Sequence, residues 1–94
     1  MTETELKNII QKANRADELL NDPIIQEFIV AVRGKLLNEF ESTALNDEKA
    51  RQNAWQKSQV LNSFLDEFKK SIKDGKNAKI TLAERAKQAV RRII

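Results

Sequence analysis

The chain has 94 residues, a formal net charge of +3, and neither cysteine nor histidine. A chain of that length makes one domain at most and buries only part of its surface. The missing residues exclude disulfide staples and thiolate metal sites, and they remove the commonest metal ligand and the commonest general base. Two glycines and one proline leave little material for a phosphate-cradling loop or an active-site lid. The chain therefore reads as non-enzymatic, with no catalytic, metal or cofactor-binding residue expected.

Charge is unevenly spread. From Lys69 onward nine basic residues face two acidic ones, a net +7, which leaves −4 for everything before Lys69. The opening Met1-Thr2-Glu3-Thr4-Glu5 lacks a basic, apolar leader, and no run approaches the roughly 18 apolar residues a bilayer span needs. The expectation is a protein that stays inside the cell and does not engage the membrane.

Thr2-x-x-Glu5 has capping-box spacing and opens a predicted helix over about 3–20, with Leu6, Ile9, Ile10, Ala13, Ala16, Leu19 and Leu20 on one face. Asn21-Asp22-Pro23 ends it, because proline clashes with a helix arriving from its N-terminal side and suits the first turn of a new one. The next predicted helix, about 23–43, carries Ile25, Phe28, Ile29, Val32, Leu36 and Phe40 as a main stripe. Ile24, Val30, Ala31 and Leu37 widen it to more than one apolar face, the pattern of a central bundle helix or an oligomer contact. Gly34 within it fits either a close helix approach or a tolerated defect costing about 1 kcal/mol.

Asn46 and Asp47 offer N-caps for a third helix over about 47–74, with Ala50, Ala54, Leu61, Leu65, Phe68 and Ile72 on its covered stripe. Lys69, Lys70 and Lys73 complement its carbonyl end, and Gly75 is expected to stop it. Thr81-x-x-Glu84 repeats the capping-box spacing and predicts a short basic helix over about 82–93. The sum is an all-α fold: an antiparallel hairpin of the second and third helices, an N-terminal helix, and a basic C-terminal helix. It makes a single helical domain over 1–94, in which 76–94 is able to dock separately.

Two large side chains stand out as partner contacts. Phe28 belongs to the doubly apolar helix, and Trp55 falls about 100° from the covered stripe of its own helix. Trp55 either covers the first helix or anchors a partner, since tryptophan is enriched in binding hot spots. Lys79, Arg85, Lys87, Arg91 and Arg92 form the basic patch, suited to non-specific nucleic acid by charge but lacking aromatic residues for base stacking.

Four stretches carry a resemblance: Arg15-Ala16-Asp17-Glu18-Leu19-Leu20-Asn21-Asp22-Pro23; Asn46-Asp47-Glu48-Lys49-Ala50-Arg51 with Trp55 four residues on; Phe64-Leu65; and Lys73-Asp74-Gly75-Lys76. Together they resemble a group of small helical proteins of tailed bacteriophages and prophages. Proteins of that group are commonly encoded among virion assembly genes and mostly lack an assigned activity. The resemblance covers about 13–78 and rests on turn and packing residues, so it carries over no catalytic or binding residue. It implies an accessory structural or assembly protein, in the host cytoplasm or associated with the virion. Such a protein would act by homo-oligomerisation or by binding a virion component. Nucleic-acid binding through the basic end, and inhibition of a host protein, stand as alternatives.

Overall fold

The structure, a computed structural model, describes residues 1–93. It is all-helical: α1 spans Glu3–Leu20, α2 spans Pro23–Glu41 and α3 spans Glu48–Ile93. Among the described residues there is no strand. Each helix begins on a side chain that satisfies otherwise unpaired amides. Thr2 Oγ1 accepts from the Glu5 amide at 3.1 Å. Asp22 Oδ1 accepts from Ile24 and Ile25 at 2.8 and 3.4 Å, with Pro23 following in the first turn. Asp47 Oδ1 accepts from Ala50 at 3.0 Å.

The expected stop at Gly75 and the separate basic helix over 82–93 are not found. α3 runs unbroken through both positions. Neither glycine has a positive φ, so Gly75 supplies no left-handed cap. Its role is spatial. A Cβ built at Gly75 would overlap Ala13 Cβ and lie 3.8 Å from the Ile9 carbonyl oxygen. Thr81, expected as an N-cap, instead donates its hydroxyl to the Asn77 carbonyl four residues back at 3.0 Å, as threonine does inside a helix. Gly34, where close approach was one reading, has nothing within 4 Å of the corresponding Cβ position.

The chain divides into two compact units, residues 1–19 with 68–94, and residues 20–67. In the first, Leu6, Ala13 and Ala16 of α1 and Gly75 and Ala78 of α3 are buried. Four of these five are alanine or glycine, which lets the two backbones come close. Arg85 Nη2 donates to the Met1 carbonyl at 2.8 Å while Gly75 meets Ala13, so α1 and this part of α3 run in opposite directions.

In the second unit, Ala54 is fully buried and Leu65 nearly so, while α2 contributes no buried residue at all. Two polar links join α2 to α3. Lys57 Nζ lies 2.6 Å from Glu39 Oε1. Thr43 Oγ1 donates to the Phe40 carbonyl at 2.7 Å and accepts from Arg51 Nε at 3.3 Å, tying the last turn of α2 to the first turns of α3.

Candidate functional site

The site is assembled from what unit 20–67 leaves uncovered. At about 100° per residue, the half-buried Ile25, Ile29, Leu36 and Glu39 define the side of α2 that packs within its unit. Ile24, Phe28 and Ala31 stand to one flank of that line, and Val30, Leu37 and Phe40 to the other. Apolar side chains are spread over roughly 260° of the helix, with Gln26, Arg33, Lys35 and Glu39 among them, and that spread is wider than one neighbour can bury. Phe28 is 57% exposed and Leu37 is 57% exposed, on opposite flanks.

α3 presents a matching pair of flanks. Ala54, Leu61 and Leu65 turn toward the packed side, with Trp55 and Asn62 to one flank and Val60 and Phe64 to the other. Side chains that share a groove establish how the flanks align. Leu36, Leu37 and Phe40 line one shallow groove together with Ser58, Leu61 and Asn62, so the Leu37 flank continues into the Asn62 and Trp55 flank of α3. Glu39, Lys57 and Val60 line a second groove on the opposite side, beside the Glu39–Lys57 ion pair.

Phe28 and Trp55, both expected as partner contacts, are therefore both exposed but are not brought together. Trp55, 56% exposed, belongs to the flank of Leu37 and Phe40, whereas Phe28 belongs to the flank of Val60 and Phe64. Leu37, Phe40, Val60 and Phe64 complete the two surfaces and were not named as contacts from the sequence. The signal that finds them is the excess width of the apolar arc rather than any single residue.

The basic patch is likewise divided. Lys79, Arg85, Lys87, Arg91 and Arg92 are all exposed. Lys87 and Arg91 share one side of α3, but Lys79 lies roughly 100° away from them and Arg85 and Arg92 more than 100° away in the other sense. The Arg85 guanidinium is engaged by the Met1 carbonyl. Among the described residues no three carboxylates gather as a metal-holding group. No helix among them is long and apolar enough to cross a membrane. No family model, no curated protein and no solved structure matches the chain.

Proposed function

We propose that the protein is a non-enzymatic assembly protein that works by packing helices on helices, with a second copy of the chain as its first partner. The observation that carries this reading is α2: a helix whose large apolar side chains stand on both flanks of its packed side, and in which none is fully buried. Burying a leucine or phenylalanine side chain contributes about 1.5–3 kcal/mol. Leu37, Phe40 and Trp55 on one flank, with Phe28, Val60 and Phe64 on the other, leave a large apolar reserve in contact with water. α2 and the adjoining part of α3 then act as an antiparallel hairpin that completes a four-helix bundle by pairing with another hairpin. The resemblance of residues 13–78 to small tailed-bacteriophage proteins supports a virion assembly role, in the host cytoplasm or on the particle.

Size-exclusion chromatography with light scattering tests this directly. The wild-type chain is expected to run as a dimer or larger species at micromolar concentration, and Leu37→Ser and Phe40→Ser on one flank combined with Phe28→Ser and Val60→Ser on the other are expected to give a helical monomer. A wild-type chain that stays monomeric at high micromolar concentration would overturn the self-association reading. Cofractionation with phage particles then separates a virion component from an inhibitor of a host protein, which would be absent from them.

A further inference from the structure

The continuity of α3 through Gly75 puts lysines from both sides of that glycine on one line. At about 100° per residue, Lys69, Lys73, Lys76, Lys87 and Arg91 fall within an arc of about 60°, centred about 130° around the helix from Gly75. Since Gly75 meets α1 at Ala13, the row points away from α1. All five residues are exposed, and among the described residues none takes part in an ion pair. Ile80, also exposed, occupies the gap between Lys76 and Lys87. Glu84 borders the row, and Asp74 lies off it.

We propose that this row is a binding site for the phosphate backbone of duplex nucleic acid, an activity separate from the assembly reading. Its 22 residues of helical rise span about 33 Å, close to the 34–36 Å of one duplex turn. A file of long, flexible cationic side chains fits a ligand whose negative charge is dense along its axis, as duplex is with about one phosphate per 3.4 Å of axis on each strand. The composition of the row argues against the other anionic surfaces. Helices that lie in a lipid surface set large apolar side chains, often aromatic, beside their cations. Here Ile80 stands alone on the line, and no aromatic residue follows Phe68 in the sequence. The same lack of aromatics removes the stacking platform by which single strands are held, so duplex is favoured. Asn77 and Gln88, the side chains suited to adenine edges, fall outside the arc, so binding is independent of sequence.

Fluorescence anisotropy of the full chain tests the proposal, using two labelled 20-base-pair duplexes of unrelated sequence, their single strands, and a parallel sedimentation assay with phosphatidylserine vesicles. Both duplexes are expected to bind equally, more tightly than the single strands. The slope of log affinity against log salt is expected at about −4 to −5 for five phosphate contacts. Lys73→Gln, Lys76→Gln and Lys87→Gln together should flatten that slope by about three and weaken binding at least about tenfold. Lys70→Gln, Lys79→Gln and Arg92→Gln remove the same charge off the row and should weaken binding far less; Glu84→Gln should tighten it. Equal losses from the two triple variants, absence of salt-sensitive duplex binding, or binding of vesicles in preference to duplex would each overturn the proposal. Light scattering reads a different surface, so failure here and failure of the assembly reading are distinguishable.

Discussion

Gly75 lies so close to Ala13 that even a methyl group on the glycine would overlap the alanine side chain. The overlap is with a Cβ, which cannot swing aside, so relief requires α1 and α3 to separate within their unit. Overpacking of this kind costs about 1–3 kcal/mol, against which alanine recovers about 1 kcal/mol of helix propensity. Gly75→Ala is therefore expected to lower stability in urea denaturation despite being the better helix former. Adding Ala13→Gly to that variant should return part of the loss, and strict additivity of the two changes would show that the contact is absent.

Gly34 supplies the opposite case. It is exposed on α2 with open space where a Cβ would stand. Gly34→Ala is expected to raise stability by up to about 1 kcal/mol. Thermal unfolding of the two single variants side by side should move the midpoint in opposite directions.

Asp22 holds the start of α2 through two amides, at 2.8 and 3.4 Å. Removing an N-cap acceptor typically costs about 1 kcal/mol. Asp22→Ala is expected to show that loss, while Asp22→Asn and Asp22→Ser retain most of the stability. A wild-type midpoint for Asp22→Ala would exclude the cap.

Thr81 distinguishes a continuous helix from two helices. As a cap, its replacement by alanine would cost about 1 kcal/mol. As an interior threonine bonded back to Asn77, it trades a weak local bond for better propensity, and Thr81→Ala should change stability by less than about 0.5 kcal/mol. Urea titration, with helix content followed by circular dichroism, separates the two outcomes.

The parts of this architecture that depend on neighbours in sequence were legible from sequence alone. The caps at Thr2, Asp22 and Asp47 are local chemistry, and the apolar excess of α2 is visible in spacing. Gly75 is ambiguous in sequence because glycine serves two purposes that a sequence does not separate, a left-handed stop and a close approach. Lys73-Asp74-Gly75-Lys76 followed by Thr81-x-x-Glu84 imitates a stop and a restart. Beyond Ile72 the covered stripe of α3 passes through Gly75, Ala78 and Thr81, which add little apolar signal, so its persistence is faint in the sequence. A helix broken at Gly75 and restarted at Thr81 has no fixed angle between Lys69 and Lys73 before the break, Lys76 in the connection, and Lys87 and Arg91 after it. The basic row exists only where the helix is continuous.

The two units draw on the chain differently, and that bears on the order in which they form. Residues 20–67 are contiguous, and the Glu39–Lys57 link closes a separation of 18 residues. The other unit joins the first nineteen residues to those after 67, and its Arg85–Met1 bond closes a separation of 84. Loop-closure entropy alone makes the longer closure about 1.4 kcal/mol harder. On the ribosome, α2 meets its partner while α1 is still waiting for a stretch not yet translated. During that interval α1 exposes Leu6 and its neighbours to solvent, and a chaperone or a premature release would find the nascent chain most vulnerable there.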